Sequence, residues 1–248
     1  MSGHSKWHTI RFKKAATDAK RGKLFSKLIK EITVATRLGG ADINANPRLR
    51  TVVQKAKDIN MPAENIDRAI KKGSGELPGV SYEEQLYEGY GPGGVAIIVE
   101  VLTDNKNRSA AEIRTLFARN GGNLAGVGSV LWMFDQKGLI TVSTDKVTED
   151  ELFLLVTDGG AEDFKTQETT FEIICDPSSL EKIKQVLEDN NIEIDMADIT
   201  YIAQNTVPIE GKEAEQVLRL MDALEDHDDV RNVCSNFDIP DELIDSEG

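Results

Sequence analysis

Residues 139–202 read LITVSTDKVTEDELFLLVTDGGAEDFKTQETTFEIICDPSSLEKIKQVLEDNNIEIDMADITYI, and the spacing of their apolar residues alternates between strand-like and helix-like runs. Strands are predicted over Leu139–Val142, Glu162–Thr166, Thr170–Cys175 and Ile194–Ile202, and helices over Glu149–Val156 and Ser178–Asn190. That βαββαβ order is a split βαβ, or ferredoxin-like, unit. On its C-terminal side, a helix over Lys212–Glu225 and a strand over Val230–Phe237 have no partners of their own. On its N-terminal side, strands over Tyr82–Glu88, Val95–Leu102 and Ser129–Phe134 and a helix over Ser109–Arg119 lack a second half. The two remnants complete each other, so one domain is interrupted by another.

The first 78 residues read differently. Leu24, Phe25, Leu28, Ile29, Ile32 and Ala35 recur at three- and four-residue spacing and fill one face of a helix over Lys20–Leu38. Gly39-Gly40 ends it, and Asn46-Pro47 supplies a cap and a first-turn proline for a second helix burying Leu49, Val52, Val53, Ala56 and Ile59. A third helix begins near Met61-Pro62, buries Ile66, Ala69 and Ile70, and stops at Gly73. The stretch Gly73–Gly79 has the composition of a linker. The expected fold class is α+β: an N-terminal helical domain (1–78) followed by two α+β (ferredoxin-like) domains, one inserted in the other. The outer is discontinuous (79–135 and 206–248) and the inner spans 136–205.

Charge divides along the same line. Residues 1–75 carry 17 Lys and Arg against 6 Asp and Glu, whereas the remainder carries 12 against 37, which together give the chain its net charge of −14. A basic segment attracts polyphosphate and releases its counterions, so the head is the expected site of nucleic-acid contact and the acidic body the part that meets proteins. The arm Lys6-Trp7-His8-Thr9-Ile10-Arg11-Phe12-Lys13-Lys14 interleaves cations with aromatics. Lys6, Arg11, Lys13 and Lys14 can neutralise phosphates, and Trp7 can stack on an unpaired base. Lys20, Lys23, Lys27 and Lys30 lie opposite the apolar face of the first helix, with Asp18 and Glu31 the only acids between Lys6 and Arg37. A solvated helix face ordinarily mixes signs, so this stripe is read as a phosphate-binding surface. Lysines act there as point charges and read no sequence.

Other motifs favour structural readings. Gly89-Tyr-Gly-Pro-Gly-Gly94 matches G-x-G-x-x-G, but the residues after it form a strand rather than a helix, so a hairpin turn is expected in place of a dinucleotide site. His4 and His8 lack a third ligand or an H-E-x-x-H pattern, and no metal or other cofactor is expected. Asp222, Glu225, Asp226, Asp228 and Asp229 read as a solvated acidic turn at a helix end. Cys175 and Cys234 read as two buried, reduced thiols. No nucleophile motif marks an enzyme. No stretch approaches the roughly 18 apolar residues of a membrane span, and no apolar signal core follows the N-terminal charges, which points to the cytoplasm without a membrane partner.

Several phrases carry a family resemblance: Gly3-His-Ser-Lys-Trp7, Gly22-Lys-Leu-Phe-Ser-Lys27, Asn46-Pro-Arg-Leu-Arg50, Asn60-Met-Pro62, Tyr87-Glu-Gly-Tyr-Gly-Pro-Gly-Gly-Val95, Asn123 to Val130 and Asn236-Phe-Asp-Ile239. In this order they resemble the YebC/PmpR family over essentially the whole chain. Ile43 stands where the family commonly has proline, and Cys234 where it commonly has tyrosine. The resemblance implies three domains and a DNA-binding transcriptional regulator without an agreed enzymatic activity. Mitochondrial members are known as translational activators, and bacterial members have been linked to ribosomes stalled on proline-rich sequence. Ribosomal or transfer RNA is therefore the alternative phosphate partner.

Overall fold

A computed structural model of the chain describes residues 18–167 and 169–239. These fall into two compact units, one running up to Met133 and resuming at Asn205, the other Phe134–Gln204. The first unit opens with α1 (Asp18–Gly39), α2 (Pro47–Asp58) and α3 (Ala63–Ser74). The apolar stripes meet in one core in which Leu28, Ile32, Ala35, Leu49, Val52, Val53, Ala56, Ile66 and Ala69 are buried. The side chain of Asn46, itself buried, serves two helices at once. Its Oδ1 accepts from the Leu49 amide at 3.1 Å, capping α2, while its Nδ2 donates to the carbonyls of Ala35 and Gly40, each at 2.9 Å, at the end of α1.

α3 does not stop at Gly73 as its sequence suggests. It runs to Ser74 and ends on Gly75, whose φ of 87° is the left-handed cap that glycine accepts without strain. Gly73 serves packing instead: a Cβ there would lie 2.5 Å from the Thr33 carbonyl and 2.6 Å from Thr36 Cβ. Only a residue without a side chain lets α1 and α3 approach so closely.

The rest of this unit is a four-stranded antiparallel sheet in the order β3-β1-β2-β9, made of β1 (Glu83–Tyr90), β2 (Ala96–Thr103), β3 (Asn123–Leu124) and β9 (Val230–Ser235). The helices α4 (Lys106–Arg119) and α7 (Gly211–Glu225) share one core with it, where Ile97, Val99, Ile113, Phe117, Val217, Met221 and Val233 are buried. The remnant after residue 205 thus supplies the sheet's fourth strand and second helix. The glycine cluster between β1 and β2 is a hairpin turn with positive φ at Gly93 and Gly94, followed by strand.

Two strand assignments from the sequence need correction. Ser129–Phe134 is a bend and a short 3₁₀ turn, with the next strand beginning only at Phe134, because the amides of Val130 and Leu131 donate to the Glu88 carboxylate rather than to a neighbouring strand. The strand predicted over Val230–Phe237 breaks at Asn236, whose Oδ1 accepts from the Ala96 amide at 2.8 Å. Beyond the break, β10 (Phe237–Asp238) pairs in parallel with β8 (Val207–Pro208).

The second unit contains β4 (Phe134–Ser143), α5 (Glu149–Gly159), β5 (Ala161–Thr166), β6 (Thr170–Cys175), α6 (Leu180–Asp189) and β7 (Met196–Ala203). Its strands lie antiparallel in the order β5-β6-β4-β7, the arrangement of a ferredoxin-like sheet. Ile140, Val142, Leu152, Val156, Phe171, Ile173 and Ile183 fill its core.

Replacing Gly73 with Ala is expected to separate α1 from α3 and to destabilise the first unit by about 1–3 kcal/mol, the usual cost of overpacking. Urea denaturation of the full chain checks this, and an unchanged midpoint would show that the contact yields without cost.

Candidate nucleic-acid interface

Of the residues that the sequence marks for phosphate or base contact, Lys6, Trp7, Arg11, Lys13 and Lys14 lie outside the described residues, as do His4 and His8. Lys20 falls in the first turn of α1, with its side chain likewise outside the description. Lys23, Lys27 and Lys30 are described: Lys23 is exposed and Lys27 and Lys30 are half-buried, and the ammonium groups of all three already have acceptors within the chain. The turn after α7 is seated on them. The ammonium of Lys23 donates to the Asp226 carbonyl at 3.2 Å, that of Lys27 to the Glu225 carbonyl, and that of Lys30 to the Asp228 carbonyl at 3.0 Å. Three lysines one helical turn apart thus meet the carbonyl end of another helix, where the peptide dipole is negative. Burial lowers the Lys27 pKa to about 8, even though Glu225, Asp226 and Asp228 each pull it up.

Asp229 anchors this junction. Its side chain is 5% exposed, and Lys30 Nζ donates to Oδ1 at 2.6 Å. Oδ2 accepts from Arg108 at 2.8 Å, Ser109 Oγ at 2.8 Å and Thr103 Oγ1 at 3.1 Å. Its backbone carbonyl accepts from the Leu102 amide at 2.8 Å, which fixes the residue against the end of β2. Burial alone would raise the carboxyl's pKa, but the donors of Lys30, Arg108 and Ser109 hold it well below the usual carboxylate range. A second link joins α1 to the sheet: Arg231 lies 3.3 Å from Glu31 and 3.8 Å from Glu100. Arg37 donates to Ser81 and Arg48 to Glu84, and Lys30 stands 5.7 Å from the centre of the Tyr82 ring.

The acidic run is therefore not the solvated turn that its composition suggests. Asp226 and Asp228 are exposed, but Asp229 is buried and the intervening carbonyls grip α1. Glu112, His227 and Asp229 bring potential metal-ligand atoms within 4.8 Å of one another. Both Asp229 oxygens already hold donors, however, and the Asp229 amide donates to His227 Nδ1 at 3.1 Å, leaving the Nε2–H to donate to Glu112 at 2.8 Å. The chemistry of this donor set is that of an ion-pair network lining one wall of an open cleft of about 810 Å³ that also includes Lys23 and Arg119.

Sequence reasoning missed a second exposed feature. The segment Asn120–Met133 has no charged residue in a chain that is 29% charged. The Glu88 carboxylate, buried at 3% exposure, accepts from the amides of Gly128 (2.6 Å), Val130 (2.7 Å) and Leu131 (2.8 Å) and so fixes this loop. Burial pushes the Glu88 pKa up, but the amides of Val130, Gly128, Leu131 and Ser129 outweigh it and lower the value. The loop holds Val127 at 96% and Trp132 at 66% exposure, and the indole N–H donates to the Ser129 carbonyl at 3.1 Å. The signal available in sequence was an acid in β1 facing a glycine-rich, uncharged segment. Cys175 and Cys234 are buried free thiols, and burial, reinforced by Glu162 and Asp176, pushes the Cys175 pKa up to about 11.

Asp229→Asn leaves Lys30 facing a buried neutral amide, an expected loss of about 3 kcal/mol at neutral pH. A carboxylate with a depressed folded pKa contributes in full above its unfolded value of about 3.9, and that contribution is lost as pH falls through the folded pKa. Wild type and variant should therefore differ most at neutral pH and converge on acidification. Denaturation midpoints taken across that range check this, and a constant gap would remove Asp229 as the source of the pH dependence.

The family model described as "TACO1/YebC protein N-terminal domain" matches residues 5–76, and that described as "TACO1/YebC second and third domain" matches residues 82–237. A "Probable transcriptional regulatory protein" of Desulforapulum autotrophicum is 58% identical over 246 residues, covering 99% of this chain and 100% of the relative. A protein of the same description from Natranaerobius thermophilus is 55% identical over 249 residues, covering 99% of this chain and all of the relative. Among solved structures, the crystal structure of the conserved hypothetical protein Aq1575 from Aquifex aeolicus superposes with a TM-score of 0.85 at 49% identity, covering 91% of this chain and 93% of that one. Two domain models that tile the chain, together with relatives matched end to end, place it in one family: this chain belongs to the TACO1/YebC family.

Proposed function

We propose that this chain is a cytoplasmic, non-enzymatic, DNA-binding regulator of transcription that meets phosphates through its basic N-terminal head and other proteins through its acidic α+β body. The observation that carries the reading is the charge division, 17 basic against 6 acidic residues up to residue 75 and the reverse imbalance beyond it. Two relatives are described as a "Probable transcriptional regulatory protein", which is consistent with it. The arm cations Lys6, Arg11, Lys13 and Lys14 are assigned to phosphates, with Lys20, Lys23, Lys27 and Lys30 as the adjoining stripe. Lys57, Lys71 and Lys72, exposed in the last turns of α2 and α3, extend the basic surface. Contacts of this kind set register and affinity without reading sequence. Among the described residues no helix is long and apolar enough to cross a membrane.

A second reading, a translation factor that binds ribosomal or transfer RNA, draws support from Trp132. An indole held by its own N–H and left largely exposed can stack on an unpaired base but has no access to bases paired inside an undistorted duplex. Trp7 in the arm is the other candidate for the same contact.

Replacing Lys6, Arg11, Lys13 and Lys14 with Gln should weaken binding to unrelated duplexes alike and reduce the slope of log K against log salt by up to about 0.9 per lost contact. An unchanged slope would remove the arm from the interface. In parallel titrations at matched salt, Trp132→Ala and Trp7→Ala separate the two readings. A loss of about five-fold or more on structured RNA with duplex affinity intact favours the RNA reading, whereas no RNA-selective loss favours DNA.

A further inference from the structure

Three of the four stripe lysines are already engaged by oxygen acceptors of this same chain. The Glu225, Asp226 and Asp228 carbonyls and the Asp229 carboxylate present negative oxygens at successive positions along the Lys23, Lys27 and Lys30 face. The carboxylates of Glu225, Asp226 and Asp228 add to the field around Lys27. A row of oxygens backed by negative charge, following a line of cations at helical spacing, is also what a nucleic-acid backbone presents. An ammonium can donate to the turn or to a phosphate, but the half-buried Lys27 is open to a phosphate only after the turn has left.

We propose that the acidic turn Glu225–Asp229 is an internal competitor for the lysine face of α1, so that nucleic acid engages Lys23, Lys27 and Lys30 only when that turn and α1 part. The inference rests on the reading of the head as a phosphate-binding module and adds a control to it. The arm forms the first contact, and the stripe contributes in proportion to the open population. Apparent affinity is then the intrinsic affinity reduced by the open fraction. Weakening the turn's hold raises affinity without creating a new contact. Asp229 is the wrong residue to alter for this purpose, since it also holds Thr103, Ser109 and Arg108 in place. The carboxylates of Glu225, Asp226 and Asp228 supply attraction to Lys27 and are not part of the Asp229 network with Thr103, Ser109 and Arg108.

The test compares three full-length proteins: wild type, the variant Glu225→Gln/Asp226→Asn/Asp228→Asn, and a control Glu149→Gln/Asp150→Asn/Glu151→Gln. The control removes the same formal charge from the exposed first turn of α5. Binding to a fluorescent duplex of about 20 base pairs, two helical turns, is read by anisotropy at one salt concentration. The turn variant should bind about five- to tenfold tighter than the control, since a larger open fraction makes the stripe lysines available to phosphates. In wild type, the turn amides of His227 and Val230, bonded to the Leu224 and His227 carbonyls, should exchange hydrogen faster once duplex is added. Equal affinity of variant and control, or exchange unaltered by duplex, would overturn the competition while leaving the phosphate-binding reading in place. No binding by any of the three proteins would overturn the reading itself, and the competition with it.

Discussion

At the end of β2 and the start of β9, a buried carboxylate accepts from a lysine of α1, an arginine and a serine of α4 and a threonine of β2. Removing a carboxylate from water is costly, and it is retained only where donors replace the lost hydration. Asp229 has that replacement from three directions, so the helical head, α4 and the sheet are tied at one point. The turn that presents it also presents the carbonyls that hold Lys23 and Lys27. With Asp229 ordered, the rest of the head–sheet contact has a fixed frame, including the Arg231–Glu31 pair two residues further on.

This changes what the charge division means. A net excess of positive residues in one segment describes an isolated segment, while the folded chain partly neutralises that excess with its own acids. Three of the lysines conspicuous in sequence, Lys23, Lys27 and Lys30, already have internal acceptors. The exposed Lys57, Lys71 and Lys72 are less regular in sequence because they close helices rather than line a face. Under the proposed function, attraction between head and body and attraction between head and nucleic acid would draw on the same ammonium groups, coupling fold stability to ligand access.

The fold was largely legible because it rests on apolar spacing. The α1 stripe, the Asn46-Pro47 start of α2 and the βαββαβ series after residue 138 each follow from periodicity and local caps, and the core contains the residues those patterns select. What sequence missed are side chains that act on distant backbone. Glu88 recruits amides some 40 positions away and so dissolves the strand predicted over Ser129–Phe134. Asn236 reaches Ala96 and breaks β9 from β10. Gly73 looks like a helix terminator, yet its role is set by Thr33 and Thr36 on another helix. The internal acceptors of the lysine face are hidden from sequence for the same reason. Its partners lie about 200 residues away, and only the completed sheet brings them together.

The central claim is that α1 is held to the sheet through its lysines, and a double-mutant cycle between Lys30→Gln and Asp229→Asn, read as urea stability of the full chain, addresses it most directly. If the pair forms as described, the two substitutions are non-additive, with a coupling of about 1 kcal/mol or more, since removing either partner already forfeits the contact. Losses that add to within about 0.3 kcal/mol would place Lys30 and Asp229 in separate environments and contradict the account.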